Sequence, residues 1–123
     1  MATRDAKKGY SAVVKHVMMS PTKLRRVADT VRRKPYTEAV AILESLPQRG
    51  ALPIKKIIQS AAANALYQNK NLDEDMLFIK ELRVDEGPRM KRLWARGRGR
   101  RDILQKKMSH LSVILDEITG LGA

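Results

Sequence analysis

Between residues 20 and 66, apolar residues recur every three to four positions, which is the spacing of one face of an α-helix. A first helix is expected at Ser20-Pro21, because proline is pre-set for the first turn and the serine hydroxyl can accept from a free amide. A second is expected from an N-cap at Thr37 to Leu46, and a third from near Pro53. The third has the clearest period, in Ile54, Ile57, Ile58, Ala61, Ala62, Ala65 and Leu66.

Three other segments are typical of β-strands. Residues from Ala12 to Met19 are apolar and β-branched, and residues 110–116 alternate between apolar and polar. In residues 77–84, strict alternation is expected to separate Phe78, Lys80, Leu82 and Val84 from Leu77, Ile79, Glu81 and Arg83. Asp85-Glu86-Gly87-Pro88 is expected to break or bend that strand. The pattern predicts an α+β fold, with three helices packed on a small antiparallel three-stranded sheet.

The last two strands can pair as an antiparallel hairpin, which would turn the residues between them into a long protruding β-hairpin arm. With about 11 residues in each leg, the arm would reach about 35 Å. A two-stranded ribbon is marginal in water, so the order of the arm must come from what it contacts. We expect a single domain over residues 1–123, with a globular part at about 11–86 and 109–118 and the arm at about 87–108.

Charge is concentrated in the predicted arm. The chain has a net charge of +12, and nine of its 25 Lys and Arg residues lie between Arg89 and Lys107, against one acid, Asp102. Like charges at this density repel one another unless an anion neutralises them. Arginine forks suit phosphates, and Gly97 and Gly99 allow close backbone approach. These features favour a nucleic-acid partner over the alternative, a solvated charge run.

Trp94 stands among the arginines of the arm and allows two interpretations. It can stack on a base or on an apolar surface of a partner. Alternatively, it can fold back on its own hairpin.

Catalytic and metal-site chemistry finds little support. The chain has no Cys, and neither of its two His residues has a third ligand at a metal-type spacing. Ser20-Pro21-Thr22-Lys23 matches the S-x-x-K pattern of serine acyl-enzymes, but the S-D-N and K-T-G elements are missing, and capping explains Ser20. We found neither a secretion signal nor an apolar run of membrane-spanning length. We therefore expect a cytoplasmic, non-catalytic protein with no cofactor, metal, membrane or small-molecule substrate.

Four short segments, with their spacing kept over residues 12–117, carry a family resemblance. They are Ser20-Pro21-x-Lys23 leading into Val27-Ala28-Asp29; Ser60 to Ala65; Val84 to Pro88 followed by Met90-Lys91-Arg92; and Arg96-x-x-Gly99-Arg100 followed by Ser109 to Val113. The chain resembles the bacterial large-subunit ribosomal protein twenty-two family (L twenty-two). In that family these segments form the first helix, the third helix and the two legs of a long hairpin.

The resemblance implies a structural protein of the large ribosomal subunit that supports subunit assembly. Its body would lie on the subunit surface, and its hairpin would be threaded through large-subunit ribosomal RNA and line the nascent-peptide exit tunnel. The implied partners are that RNA, neighbouring large-subunit ribosomal proteins and the nascent peptide. The tip residues carried over are Arg89, Met90, Lys91, Arg92, Leu93, Trp94 and Ala95.

We predict RNA contacts on the arm and on basic residues of the body, chiefly one face of the first helix. The predicted residues are Lys15, Lys23, Arg25, Arg26, Arg32, Arg33, Arg89, Lys91, Arg92, Arg96, Arg98, Arg100, Arg101, Lys106 and Lys107. The alternative function is that of a DNA-binding or nucleoid-type protein whose ribbon enters a groove of the duplex.

Overall fold

The computed structural model describes residues 9–95 and 97–118. Its helices and strands are β1 (Tyr10–Val17), α1 (Pro21–Val31), α2 (Tyr36–Ser45), α3 (Ala51–Gln68), β2 (Leu77–Ala95) and β3 (Arg101–Glu117), with 3₁₀ turns at Glu74–Met76 and Gly97–Gly99. The strands form one antiparallel sheet in the order β1-β3-β2. The predicted fold class, three helices on a three-stranded antiparallel sheet with a long hairpin, is confirmed.

The helices bury the faces that their periodicity predicts. On α3, six of the seven periodic residues are buried and Leu66 is partly buried. α3 packs against β1 and β3, while α1 packs against β2. The apolar positions of β3, Leu111, Val113 and Leu115, are also buried as predicted. A single apolar core therefore lies between the helices and one face of the sheet.

The starts of several elements differ from the prediction. α2 begins at Tyr36 with Pro35 at the N-cap, not after an N-cap at Thr37, because the Tyr36 ring is buried in the core. α3 begins at Ala51, which places Pro53 inside its first turn. Ser20 does occupy the N-cap of α1, but its side chain makes no capping hydrogen bond.

β1 also lies two residues earlier than predicted. It spans Tyr10–Val17 instead of residues 12–19. The chain turns immediately afterwards, since the Met19 amide donates to the carbonyl of Val17 at 2.8 Å. Met18 and Met19 therefore belong to the connection into α1.

The strict alternation predicted for residues 77–84 is wrong, because β2 contains a bulge. Its register against β3 shifts between Ile79 and Glu81, which leaves Lys80 as an extra residue. An extra residue moves all later side chains to the opposite face. The buried residues accordingly change phase at this point; they are Leu77, Ile79, Leu82 and Val84.

Residues 85–88 do not end β2, which continues into the arm. The register shifts again between Glu86 and Arg89. Pro88 is tolerated there because β2 is an edge strand, where a missing amide need not break the ladder. At Gly87, an added Cβ would lie 3.1 Å from the Met108 carbonyl oxygen and 3.2 Å from His110 Cε1. The root of the arm is thus closely packed.

Polar contacts cover the outer edges of the sheet. Pro35 pairs with Phe78, and the Ile79 amide donates to the Lys34 carbonyl at 3.0 Å. On β1, the Ser11 carbonyl accepts from Asn64 Nδ2 at 3.0 Å. These contacts protect edges that would otherwise be open to another strand.

None of the helices within residues 9–95 and 97–118 is both long and apolar enough to cross a membrane.

Candidate nucleic-acid interface

The arm is a regular two-stranded ribbon. Residues 89–95 of β2 pair with residues 101–107 of β3, from Arg89 opposite Lys107 to Ala95 opposite Arg101. The residues expected at the tip, Arg89–Ala95, therefore form the outgoing leg, and the chain reverses after them. Because a hairpin turns where its pairing ends, the end of the arm lies beyond this cross-strand pair.

The turn contains two residues in the left-handed region. Arg98 has φ of 61° and Gly99 has φ of 71°. The Arg100 amide donates to the Gly97 carbonyl at 3.4 Å. An added Cβ would meet nothing within 4 Å at either Gly97 or Gly99, but of the two only Gly99 has a positive φ, which suits a residue without a Cβ. Arg96 lies outside the described residues.

Cations occupy both faces of the arm. Residues opposite each other in antiparallel strands share a face, so Lys91 and Arg101 lie on one face and Arg92 and Lys106 on the other. All the described arm cations have exposed side chains: Arg89, Lys91, Arg92, Arg98, Arg100, Arg101, Lys106 and Lys107. The ribbon therefore presents positive charge on two sides, which suits an anionic partner that surrounds it.

Large apolar side chains are also exposed on the outer half of the arm. Leu93 and Ile103 are opposite each other and are 65% and 62% exposed. On the other face, Trp94 is 54% exposed and lies opposite Asp102, next to Leu104 on the partner strand. Trp94 thus has a large surface available for stacking or apolar contact.

Two arginines predicted to bind RNA, Arg25 on α1 and Arg32 at its C-cap, also contact the edge of β2. Arg25 Nε and Nη2 donate to the Val84 carbonyl oxygen at 3.3 and 3.0 Å. Arg32 Nε donates to the Leu82 carbonyl oxygen at 3.0 Å, and its guanidinium also pairs with Asp29. Arg32 follows the last residue of α1 with an extended backbone, so helical periodicity alone does not predict that it shares the sheet-facing side with Arg25.

Lys23 and Arg26, also on α1, line a groove of about 790 Å³ between the body and the root of the arm. Arg49, from the connection between α2 and α3, and Lys106 and Lys107 of β3 complete a set of five cations. Among the described residues that line the groove there is no acid; the others are Met18, Met19, Ser20, Gln48, Gly50 and Gln105. Sequence reasoning missed Arg49, because only the tertiary fold brings its connector beside the arm.

Residues 12–116 match the family model described as ribosomal protein L22p/L17e. The chain belongs to this family. Three similar relatives are each named large ribosomal subunit protein uL22. That of Treponema denticola is 59% identical over 91% of this chain and 95% of the relative. Those of Treponema pallidum and Borreliella afzelii are 50% and 48% identical, each over 88% of this chain and over 87% and 90% of the relative.

The match to the L22p/L17e family confirms the resemblance predicted from the four segments. It covers both the body and the paired legs of the arm. The family is structural and non-enzymatic, so the S-x-x-K segment at Ser20 has no catalytic meaning. In this L22p/L17e chain, Ser20 and Lys23 lie together along the basic groove.

The remaining predicted body cations lie apart from the groove. Lys15 is exposed on β1, and Arg33 is exposed just after α1 with φ of 63°. Beside Lys15, the His16 amide donates to His110 Nδ1 at 3.1 Å, and the two rings meet edge to face. Among the described residues of this L22p/L17e protein, no three His, Asp or Glu side chains are grouped so that they could hold a metal ion.

Proposed function

We propose that the chain is a structural constituent of the large ribosomal subunit that binds large-subunit ribosomal RNA with its arm and supports subunit assembly. The observation that carries this proposal is the arm, a ribbon whose described cations are exposed on both faces. A partner that neutralises such a ribbon has to approach it from two sides. Folded RNA can enclose an arm in this way, with its phosphates on either side.

The apolar part of the arm supports a second component of the proposal. Three large apolar side chains, Leu93, Ile103 and Trp94, are exposed on the arm. They lie among the cations that we propose bind RNA phosphates, so RNA that encloses the arm would also meet these apolar side chains. Unstacked bases pack on aromatic side chains, and neighbouring large-subunit proteins can cover aliphatic ones. We infer that this outer half contacts RNA bases and protein, and that it lines the nascent-peptide exit tunnel, a role that rests on the family resemblance.

The body and the arm are proposed to act as one domain in the ribosome, and hence in the cytoplasm. The globular part would comprise residues of about 11–86 and 109–118, and the arm about 87–108. One connected core supports this arrangement, as do two strands that run without interruption from the body into the arm. RNA phosphates outside the arm would contact exposed body cations such as Lys15 and Arg33.

Competition binding at fixed salt tests the RNA assignment. The full chain bound to a folded fragment of large-subunit ribosomal RNA is challenged with the same RNA or with duplex DNA of equal length. We expect the RNA to compete far better, because salt-dependent phosphate contacts alone do not discriminate between them but shape does. Equal competition would favour the DNA-binding alternative.

The tunnel assignment is tested separately in assembled subunits. Trp94 is replaced by a photo-crosslinking residue, and crosslinks are mapped in ribosomes that carry a nascent chain. Crosslinks to the nascent chain are expected. Crosslinks that reach only RNA would restrict the arm to RNA binding.

A further inference from the structure

The basic groove at the root of the arm has walls from two parts of the molecule. One wall belongs to the body and carries Lys23, Arg26 and Arg49. The other belongs to the arm and carries Lys106 and Lys107. Like charges facing each other across a concave surface repel one another unless an anion lies between them. The groove therefore favours occupation by an anion that contacts both walls.

The chemistry of the lining suits a nucleic-acid backbone better than a small ion. Arginine and lysine side chains bind phosphate, the former through two parallel hydrogen bonds. Gln48 and Gln105 add amide donors that can reach phosphate or ribose oxygens. Met18, which is 60% exposed, adds an apolar surface for a ribose or a base. With a volume of about 790 Å³, the groove has room for more than a single phosphate group.

We propose that this groove binds the sugar-phosphate backbone of ribosomal RNA and, by joining its two walls, sets the angle between the arm and the body. This inference rests on the proposed function, which it makes more specific. An acidic protein segment would satisfy the same charges. RNA is favoured because the groove continues directly into the basic ribbon along β3.

The groove lies where an RNA backbone bound in it could affect the direction of the arm. β3 contributes Lys106 and Lys107 just before it enters the body. On the neighbouring strand, the register shift between Glu86 and Arg89 lies at the same level, since Arg89 pairs with Lys107. Bulges bend strands, so this is where the ribbon can change direction. Neutralising both walls removes the repulsion that would otherwise drive the arm away from the body.

Two charge-matched double variants of the full chain test the proposal. The groove variant is Lys23→Gln with Arg49→Gln, and the control is Lys56→Gln with Arg83→Gln. All four side chains are exposed, and each variant removes one Lys and one Arg. Thermal unfolding of both variants checks that the fold is kept.

The measurement is the dependence of log Kobs on log salt concentration for a folded fragment of large-subunit ribosomal RNA. Each lost phosphate contact makes the slope shallower by about 0.7–0.9. We expect the groove variant to lose between about one and two phosphate contacts, seen as a shallower slope, and its binding to weaken on the order of tenfold. The control variant is expected to keep the slope of the wild type. In the wild-type complex, amide exchange at Gly50 and Lys107 is expected to slow.

Three results would overturn the proposal. Equal slopes for the two variants would mean that the net charge of the protein, and not its position in the groove, determines RNA binding, and that no RNA phosphate is bound in the groove. Unchanged exchange at Gly50 in a complex that still prefers RNA would leave the proposed function intact but remove the groove from it. Slowed exchange at Gly50 with polyglutamate but not with RNA would assign the groove to an acidic protein. If the wild type bound folded ribosomal RNA no better than duplex DNA, that result would instead contradict the proposed function itself.

Discussion

The body and the arm share two strands, β2 and β3, yet the side chains of these strands lie in different surroundings in the two regions. In the body, Leu111 and Leu115 of β3 are fully buried and Leu82 of β2 is nearly so. In the arm, every described side chain from Lys91 to Lys107 is exposed. Strand pairing is therefore shared by both regions, whereas apolar burial belongs to the body alone.

This difference separates two sources of order. Burying a large aliphatic side chain contributes about 1.5–3 kcal/mol, while a backbone hydrogen bond contributes about 1 kcal/mol net. Fixing one residue of the backbone costs about 1–2 kcal/mol, so pairing without burial leaves a ribbon near balance. In the body, apolar burial adds to strand pairing. The arm has to gain its order from the partner that neutralises it.

The largest expected effect comes from truncating a leucine in each region. Leu111→Ala should lower the free energy of unfolding by about 2–5 kcal/mol, because it leaves a cavity in the core. Leu93→Ala, on the outgoing leg of the arm and 65% exposed, should change it by no more than about 0.5 kcal/mol. Urea unfolding of the full chain measures both. Similar losses from the two substitutions would mean that the arm is packed as the body is.

Two adjacent arginines on α1 offer a sharper test, since one serves the body and the other faces the groove. Arg25→Gln removes a charged donor from the Val84 carbonyl and should cost about 1.5–2 kcal/mol of stability, the lower part of the usual range for a charged hydrogen bond, because the site is partly exposed. Arg26→Gln should leave stability nearly unchanged and weaken RNA binding. Urea unfolding and RNA titration of both variants separate the two roles. The reverse result would mean that Arg25 acts mainly in RNA binding and Arg26 mainly in the stability of the body.

The turn of the arm provides a pair of glycines with different backbones. Gly99→Ala places a Cβ on a residue with φ of 71°, so the variant pays about 1 kcal/mol to adopt the turn. If RNA binds the arm only with this turn formed, the binding free energy is reduced by the same amount, which is about fivefold in Kd. Gly97→Ala meets open space and serves as the control. RNA titration at constant salt measures both. An equal loss from Gly97→Ala would point to close approach of the polyanion as the reason for both glycines.

The smallest expected effect concerns how the stability of the body falls at alkaline pH. Burial, with a smaller contribution from nearby Glu74, raises the pKa of Tyr36 above its ordinary value of 10.0. A raised pKa means that the fold favours the neutral phenol, so the contribution of Tyr36 is complete below pH 10.0 and is lost as pH rises through the folded-state pKa. Tyr36→Phe should therefore lose less stability than the wild type between neutral pH and the alkaline range.

The control for that measurement is Tyr67→Phe, whose ring is 83% exposed. Urea unfolding at a series of pH values should show this variant following the wild type. If both phenylalanine variants changed the pH profile alike, burial of Tyr36 would not be the cause.

Local patterns were sufficient for much of the fold. The period of α3 predicted its buried face, because burial on a helix repeats with the helical turn. The alternation of Leu111, Val113 and Leu115 predicted the inner face of β3 in the same way. The charge run between two pairing strands predicted the arm, since both signals are local in the chain.

What could not be predicted depends on contacts between distant segments. The bulge at Lys80 has no marker of its own, and its effect emerges only when β2 is placed against β3. Arg25 is a basic helix residue in the sequence, and only the fold sets it against the Val84 carbonyl. Arg49 joins the groove because α2 and α3 bring their connector beside the root of the arm.

Amide hydrogen exchange along β2 tests most directly the claim that the arm takes its order from RNA. One strand carries both regions, so residues 77–86 serve as the internal control for residues 89–95. In the free protein, we predict strong protection of the first range and exchange near the unfolded rate in the second; binding of folded ribosomal RNA should protect both. Equal protection of the two ranges in the free protein would contradict the account.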